Sequence, residues 1–474
     1  MSHNRYEMVV GLEVHVQLRT RTKAFCRCAT TFGDPPNQNT CPVCLALPGA
    51  LPVLNEKAVE LATRASLALG CAVREVSVFA RKNYFYPDLP KGYQISQFDR
   101  PLAEHGHMPL ADGRIIGITR IHMEEDAGKS VHDRFRNATA IDLNRAGVPL
   151  IEIVSEPDIR SSAEAAAYLR AVREILVYTD VSDCSMEEGS FRVDANVSAR
   201  PHGSSELRTR TEIKNLNSFS NVERALEIEF ARHSALHDAG GAVVQQTMLY
   251  DANADAVRPA RAKEESHDYR YFPDPDLPPL VLTREYIHGI RSTLKEFPAA
   301  RRARYVSQWG VAAPDANALV ADRALGDYFE RLMQLGADSR VAANWVLGEM
   351  LAAQNAGAGE AAWIDPNRMI DLMGLVLGGQ VSHTAAKSIY ATMITDPLSA
   401  RSIAERDGLL QVADDAALVR WIGEVFAENP DEAARFIGGE RRLQGVLIGM
   451  AMKKSGGRAD PKKLSQLIGA RAGK

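Results

Sequence analysis

The sequence of 474 residues lacks any apolar run of the roughly 18 residues that a membrane-spanning helix needs. Its first residues, Met1 to Glu7, also lack the apolar core of a signal peptide. The formal net charge of −4 is too small to indicate a binding partner by itself. We therefore expect a soluble, cytoplasmic protein with no membrane partner.

Cysteine is scarce, with six in the whole chain, but four of them lie in one short interval. In a reducing compartment such clustering indicates metal binding rather than disulfides. Two close pairs separated by a Gly/Pro/Asn-rich loop can complete a tetrahedral zinc shell, and the absence of an open position predicts a structural site. The predicted zinc ligands are Cys26, Cys28, Cys41 and Cys44; the alternative is a set of free thiols. Cys71 and Cys184 are predicted to be core residues.

The segment from Val10 to Leu18 alternates apolar and polar residues with a period of two, which predicts a half-buried strand. Glu13 and His15 share the polar face, and a carboxylate with an imidazole two residues away suits a divalent cation with an oxygen-rich shell. The alternative is a strand whose polar side simply faces solvent.

Three consecutive carboxylates, Glu124, Glu125 and Asp126, follow another β-like run. Two carboxylates about 4 Å apart repel each other by roughly 4 kcal/mol at an effective dielectric constant near 20, so the cluster requires solvent, protons or a cation. We favour the cation. The following Gly128, Lys129 and Ser130 invite a phosphate-loop interpretation, but Met123 stands where that loop needs glycine, which excludes a Walker-type NTPase.

Two further segments combine features that suit a nucleic acid or a nucleotide. Residues 81–97 alternate basic, aromatic and amide side chains on a proline-rich loop, which could bind phosphates or stack a base, or could simply pack as a loop. Met452 to Lys474 carries seven Lys or Arg and one Asp. Such basic tails are usually solvated surface, and nucleic-acid binding is favoured only when another feature agrees.

The chain exceeds the usual size of a single core, so two or three domains are expected. Helices are predicted after the capping residues Asn55, Ser161 and Ser220, the last ending near Leu236. Short strands at 140–147, 148–157 and 191–198 carry acids that include Glu152 and Asp194. We predict an α+β domain with a mostly antiparallel sheet over residues 1–293, a helical domain over 294–405 and a small helical tail over 406–474.

Seven short motifs are spread over nearly the whole chain: Gly11–His15, Arg81–Pro87, Tyr93–Gln97, His122–Lys129, Pro149–Pro157, Met186–Gly189 and Asp268–Pro273. Taken together, these motifs resemble one protein family, the B subunits of aspartyl/glutamyl-tRNA amidotransferases.

The resemblance implies a cradle-shaped catalytic domain of the glutamine synthetase/guanido kinase type, followed by a helical domain and a helical tail that touches tRNA. It implies that the chain uses ATP and Mg²⁺ to phosphorylate the side-chain carboxylate of Glu mischarged on tRNA(Gln) or Asp mischarged on tRNA(Asn). Ammonia from a partner amidase, the A subunit, then displaces the phosphate, and a small C subunit completes the complex. The choice between the two tRNA substrates depends on tRNA identity and is left open.

The resemblance also carries roles to residues of this chain. The implied catalytic residues are Glu13, His15, Glu124 and Glu125, which with Glu152 would bind Mg²⁺, while Asp194 could be an outer ligand. The basic and aromatic pattern of residues 81–97, and not the resemblance, gives the candidates for binding the nucleotide or the tRNA end: Arg81, Lys82 and Lys91 for phosphates, and Tyr84 or Tyr86 for stacking a base or ribose. The tail residues implied in tRNA binding are Lys453, Lys454, Lys462 and Lys463.

Two alternatives come from other functional classes. The chain could be a tRNA-binding scaffold whose kinase site is degenerate, its acids holding only structural cations. It could also be a self-sufficient glutamine-dependent ligase, but the sequence shows neither a Cys/His setting nor an amidase-like Ser-Ser-Lys signature for glutamine hydrolysis. We therefore expect a partner to supply ammonia.

Overall fold

The structure is a computed structural model that describes residues 5–260, 269–411 and 414–472. Asp268 of the resembling motif and Lys474 of the basic tail lie outside the described residues. The chain forms two compact units, Met1–Phe297 and Pro298–Lys474. The finer division into three domains stays a prediction.

The first unit is built around a nine-stranded sheet with two smaller sheets and a hairpin beside it. Its strands are β1 Tyr6–Gln17, β2 Ala72–Val73, β3 Val76–Ser77, β4 Ala80–Asn83, β5 Tyr93–Ser96, β6 Ala103–Pro109, β7 Ile115–Glu125, β8 Lys129–Phe135, β9 Ala138–Asp142, β10 Pro149–Ser155, β11 Phe191–Pro201, β12 Thr211–Lys214, β13 Thr247–Asp251, β14 Ala256–Pro259, β15 Phe272–Pro273 and β16 Leu280–Val281.

The order in the large sheet is β14-β13-β12-β11-β1-β10-β7-β6-β2. Neighbouring strands are antiparallel except β12 and β13, which are parallel and are connected through a helix. β1 lies near the middle, where it pairs with β10 on one side and β11 on the other. The predicted α+β class with a mostly antiparallel sheet is therefore confirmed.

Four helices complete the described part of this unit: α1 Glu56–Ala68, α2 Ser162–Tyr178, α3 Phe219–Asp238 and α4 Arg284–Thr293. Of these, α1, α2 and α3 pack on the apolar face of the sheet. The apolar residues of β1, including Val10, Leu12 and Val14, share one buried core with the helices. Burial of this face explains the alternation in the sequence, and it leaves the polar side chains of β1 on the opposite face.

The predicted helix caps agree with the structure at Asn55 and Ser161, whose side chains accept hydrogen bonds from the first turns of α1 and α2. The prediction for α3 was wrong, because Ser218 and not Ser220 is the cap. Ser218 has an extended backbone and its Oγ accepts from the amide of Asn221 at 3.1 Å. Ser220 lies inside the first turn, and its hydroxyl contacts that of Ser218 at 3.0 Å.

The second unit is helical throughout its described part. Its α-helices are α5 Pro298–Trp309, α6 Ala313–Ala321, α7 Arg323–Gln334, α8 Ser339–Trp345, α9 Leu351–Ala353, α10 Pro366–Leu377, α11 His383–Met393, α12 Ala400–Arg406, α13 Asp415–Glu428, α14 Pro430–Ile437, α15 Leu443–Lys454 and α16 Pro461–Gly469. The last four helices share a buried core that includes Ile422, Phe436 and Leu464.

Within the described ranges, no helix combines the length and the apolar character that crossing a bilayer requires.

Candidate active site

The polar face of the large sheet carries a row of three ionisable side chains on adjacent strands. His15 on β1 is the register partner of Glu152 on β10, and Glu152 is in turn the partner of His122 on β7. His15 Nε2 lies 3.2 Å from Glu152 Oε2, and His122 Nε2 lies 3.4 Å from the same oxygen. The sheet register therefore places one carboxylate between two imidazoles.

Glu124 joins this row and completes a group of three possible metal ligands, His15, Glu124 and Glu152, which we call the His15 group. One ligand atom from each lies within 4.8 Å of the other two. Glu124 is oriented by Ser96, whose hydroxyl donates to Oε1 at 2.6 Å, and by Gln94, whose amide donates to Oε2 at 3.0 Å. These donors fix the carboxylate in place before any cation binds.

The proton distribution in the His15 group follows from its buried charges. Burial opposes charge on His122, but Glu152 and Glu124 outweigh it and raise its pKa to about 9. Burial alone would raise the pKa of Glu152, yet His122 and His15 hold it well below its ordinary value. In the absence of metal, the negative charge of the group is therefore partly offset by the imidazolium of His122, which is buried beside it.

A second acid group lies on the neighbouring strands of the same face: Glu13 on β1, Asp194 on β11 and Glu212 on β12. We call it the Glu13 group, and its ligand atoms also lie within 4.8 Å of one another. Glu13 is the register partner of Asp194. Burial and then the nearby carboxylate of Glu152 raise the pKa of Glu13, so the two groups are close enough to interact electrostatically.

Lys214 supplies the positive charge of the Glu13 group. Its Nζ donates to Asp194 Oδ2 at 2.8 Å and lies 2.8 Å from Glu212 Oε1. Burial opposes the charge, but Asp194 and Glu212 raise the pKa of Lys214 above its ordinary value. The ammonium therefore stays charged between the two carboxylates.

Both groups have the donor set that a hard divalent cation takes, namely carboxylate oxygens with at most one imidazole. Ligands on opposite sides of a Mg²⁺ ion at about 2.1 Å are about 4.2 Å apart, so atoms within 4.8 Å can meet around one ion after small side-chain movements. The residues present fit two such cations on one face of the sheet.

Glu125 belongs to neither group, although the sequence analysis placed it beside Glu124. Consecutive residues of a strand point to opposite faces, and the two carboxylates follow that rule. Glu125 Oε1 accepts from the amide of Ile95 at 2.9 Å and pairs with Lys91. Together with Lys23, Tyr93 and other residues it lines a cavity of about 190 Å³ next to the cysteine segment.

The residues predicted to bind a nucleotide or the tRNA end are likewise divided between two places: some lie near Glu124, and one lies with Glu125 at the cavity. Lys82 interacts electrostatically with Glu124 and Glu152, which together overcome burial and raise its pKa. Tyr84 donates to Gln94 at 3.2 Å, so it contacts the same support as Glu124. Lys91 instead lies with Glu125 at the cavity.

Aromatic rings surround Lys82 and the neighbouring loop. Lys82 Nζ lies 4.9 Å from the ring centroid of Tyr269, and the rings of Tyr84 and Tyr86 are 6.1 Å apart. Arg81 is occupied by structural contacts, because its guanidinium bonds Asp274 at 2.9 Å and Asp276 at 2.8 Å. These two carboxylates already offset the charge of Arg81, which makes it a weaker candidate for binding phosphate.

Asp126, the third acid of the cluster, anchors two side chains from the polar face. Gln17 Nε2 donates to its Oδ2 at 2.8 Å, and a guanidinium nitrogen of Arg192 lies 3.0 Å from the same oxygen. Arg192 is also the register partner of His15. Asp126 therefore holds an arginine at the edge of the His15 group.

The segment that follows Asp126 is not a phosphate loop, as the sequence indicated. Gly128 packs tightly against backbone: its amide donates to Asp88 O at 2.8 Å, and a Cβ there would lie 2.9 Å from that oxygen. Lys129 begins a strand, whereas a phosphate loop would continue into a helix.

The four clustered cysteines converge as their spacing predicts. Their thiol sulfurs lie within 4.8 Å of one another, with Cys28 to Cys44 at 4.0 Å and Cys41 to Cys44 at 3.8 Å. Four sulfurs around zinc at about 2.3 Å would be about 3.8 Å apart, so the cluster could hold such a metal. The segment is tied to the sheet domain by Lys23, which donates to Asn39 O at 2.6 Å and Leu143 O at 3.2 Å. Cys71 and Cys184 are buried in the core, as predicted.

The four tail lysines lie at the ends of α15 and α16. Lys454 bonds Glu424 and Glu428, and Lys463 lies 3.3 Å from Asp415. Lys453 and Lys462 are exposed. Two of the four predicted tRNA contacts therefore already have acidic partners within the tail.

Sequence reasoning missed Glu212 and Lys214, which complete the Glu13 group. The signal was available, because Thr211-Glu-Ile-Lys214 alternates as β1 does and places Glu212 and Lys214 on one face. The segment is only four residues long, so its periodicity is weak. The supporting donors Gln94 and Ser96 were missed because only the fold brings β5 beside β7.

Comparison with known proteins gives matches along almost all of the chain. Residues 8–288 match the family described as GatB/GatE catalytic domain, and residues 327–471 match the GatB domain. The B subunit of an aspartyl/glutamyl-tRNA(Asn/Gln) amidotransferase from Solidesulfovibrio magneticus is 50% identical over 474 residues, covering 99% of this chain and 100% of that protein. Proteins of the same description from Geobacter sulfurreducens and Chlorobium luteolum are 50% and 49% identical, with 98% of each chain covered. The chain belongs to the GatB family of amidotransferase B subunits.

Proposed function

We propose that this chain is the B subunit of a glutamine-dependent aminoacyl-tRNA amidotransferase. It activates the side-chain carboxylate of Glu-tRNA(Gln), Asp-tRNA(Asn) or both with ATP, and then transfers ammonia to it. The observation that carries the proposal is the pair of acid groups on one polar sheet face, since a reaction between two anions needs concentrated positive charge. We place the reaction in the cytoplasm, where aminoacyl-tRNA is used.

The chemistry explains why the site is acidic. A carboxylate is a poor electrophile, so the γ-phosphoryl group of ATP is transferred to its oxygen and ADP leaves. Ammonia then attacks the carbonyl carbon of the acyl phosphate, loses a proton and expels inorganic phosphate, which leaves the amide. Bound Mg²⁺ would neutralise the phosphates and the developing charge.

The residues of this chain have distinct parts in the proposal. The His15 group and the Glu13 group would hold one divalent cation each. Lys82 and Arg192, which lie at the His15 group, would bind phosphoryl oxygens, while Tyr84, Tyr86 and Tyr269 form an aromatic wall against which a base can stack. Glu125 is not included among the metal ligands, because it faces the cavity on the other side of its strand.

Three further parts of the proposal come from the family. An amidase A subunit supplies ammonia and a small C subunit belongs to the same complex, in keeping with the description of the relatives as B subunits. The four cysteines hold a structural zinc ion, for which their sulfur separations are suitable. The helical tail contacts tRNA through its exposed Lys453 and Lys462.

The test uses the complete complex with mischarged tRNA, ATP and ammonium chloride in place of glutamine. Glu152→Gln should lower ATP-dependent phosphorylation of the aminoacyl group by more than about a hundredfold. The change removes a carboxylate metal ligand that also contacts the imidazoles of His15 and His122. Glu75→Gln, a change of an exposed carboxylate bonded to Arg284, should have no effect.

Binding of tRNA distinguishes this function from a scaffold with a degenerate site. We expect Glu152→Gln to bind tRNA as the wild type does. If the variant also retains full phosphorylation, the kinase assignment is wrong and the scaffold function gains support. Glutaminase activity of this chain alone would contradict the need for an A subunit.

A further inference from the structure

Lys214 lies where a cation of the Glu13 group would be expected. Its ammonium bonds Asp194 and Glu212 at 2.8 Å each, and these are two of the three possible ligands of that group. An ammonium nitrogen and a metal ion both need the same carboxylate lone pairs. The ammonium and a divalent cation are therefore alternatives for these two oxygens.

Two of the three carboxylates have other partners that keep them in place. Thr247 donates to the second oxygen of Glu212 at 2.9 Å, and Asn196 donates to Glu13 at 3.1 Å. Asn196 is in turn held by Arg210 at 3.0 Å. Departure of the ammonium would therefore leave the carboxylates of Glu13 and Glu212 in place.

Lys214 can leave, because its side chain is 40% exposed and has a flexible four-carbon stem. The positive charge beside the His15 group, the imidazolium of His122, cannot leave in this way. His122 is only 5% exposed, and its ring is fixed in the row of β7 and β10 by contacts with both Glu124 and Glu152. The two acid groups thus differ in whether their own positive charge can move away.

We propose that Lys214 is the resident counter-ion of the Glu13 group and is exchanged for a divalent cation when that group is loaded. On the basis of the proposed function, Lys214 is a positioning residue that sets the affinity of the Glu13 group for its divalent cation. Before loading, it holds Asp194 and Glu212 together against their mutual repulsion. During loading, it withdraws toward solvent and frees both oxygens.

The first experiment measures Mn²⁺ binding to the full-length chain by electron paramagnetic resonance, without nucleotide. Glu152→Gln identifies the ion of the His15 group, and Glu212→Gln identifies that of the Glu13 group. Lys214→Met keeps the length of the side chain but removes the charge, and it should tighten Mn²⁺ binding to the Glu13 group at least tenfold. Lys57→Met, which alters an exposed lysine bonded to Glu60, is the matched control and should leave both affinities unchanged.

The outcomes separate the inference from the proposed function. Two bound ions with equal affinity in wild type and Lys214→Met would overturn the role of Lys214 and leave the proposed function intact. If the wild type binds no ion at either group, the proposed function itself fails. A purely structural role of Lys214 predicts weaker binding after its replacement, which is the opposite sign.

A second experiment avoids substitution and so does not depend on the folding of a variant. Reductive methylation of the wild-type chain, read residue by residue by mass spectrometry, reports how accessible each lysine is. Addition of Mg²⁺ alone should increase methylation of Lys214 severalfold, because the ammonium leaves its carboxylates, and should not change Lys57. Unchanged or decreased methylation of Lys214 at a Mg²⁺ concentration that fills both groups would overturn the inference.

Discussion

Glu124 and Glu125 are adjacent in the chain but their carboxylates lie on opposite faces of β7. Glu124 accepts from Ser96 at 2.6 Å and lies 3.2 Å from His122, whereas Glu125 accepts from the amide of Ile95 at 2.9 Å and pairs with Lys91. Both side chains are buried. Substitution of Glu124 therefore affects the face with the His15 group, whereas the matched substitution of Glu125 affects the face with Lys91 and the cavity.

Glu124→Gln should weaken Mn²⁺ binding to the His15 group by at least about tenfold, because it removes a carboxylate ligand. Glu125→Gln should leave that affinity within about twofold, but should lower the free energy of unfolding by roughly 3 kcal/mol, since it leaves the ammonium of Lys91 without its buried partner. Metal titration and urea denaturation of both variants provide the measurements. Equal loss of metal affinity in the two variants would contradict the assignment of faces.

His122 should make the stability of the metal-free chain fall at alkaline pH. Its pKa is raised to about 9 in the folded chain, so its contribution, about 3 kcal/mol, is fully present below pH 6.5 and is lost as pH rises through 9. Urea midpoints measured from pH 6 to pH 10 should fall more steeply for wild type than for His122→Asn. His132→Asn, a change of an exposed histidine, should keep the wild-type profile.

Glu229 should make the stability of the chain fall at acidic pH. Burial opposes its charge, but Arg232, His233 and Thr211 donate to it and lower its pKa to about 2. Its stabilisation of about 3 kcal/mol is present above pH 4.5 and is lost as pH falls through 2.

Glu229→Gln should therefore be destabilised at pH 7 and approach wild-type stability near pH 2, as measured by denaturant unfolding at both values. Glu227→Gln on the same helix replaces an exposed carboxylate and should change little. A constant difference between Glu229→Gln and wild type across the range would show that its carboxylate titrates normally.

Cys28→Ser should abolish zinc binding and lower the melting temperature by about 5 °C or more, because a structural metal stabilises the folded segment. Zinc content per chain and thermal unfolding are the two measurements. Cys184→Ser, a change of a buried cysteine outside the cluster, should retain zinc. Full zinc content in Cys28→Ser would show that the metal is held elsewhere.

The sequence predicted those features that depend on local periodicity or spacing. Alternation over nine residues is compatible only with a strand that has Glu13 and His15 on its polar face. The spacing of the four cysteines is typical of a metal site, so it predicts that they come together. Glu125 shows the limit of reasoning from composition. Three acids in a row look like one cluster, but a strand divides neighbours between its two faces.

The missing members of the site depend on long-range pairing. Glu212 joins Glu13 only because β12 pairs with β11, which in turn pairs with β1. Gln94 and Ser96 reach Glu124 only because β5 lies across β7. No local pattern in the sequence specifies these neighbours.

The central place of β1 has a consequence for the chain during its synthesis. Val154 and Asp194, which pair with Glu13 on either side, are translated long after β1 has left the ribosome. Until then the first strand exposes an apolar face and two unpaired edges, which makes the amino-terminal end of the nascent chain the segment most exposed to aggregation. A chain released before Asp194 is made would also lack a complete Glu13 group.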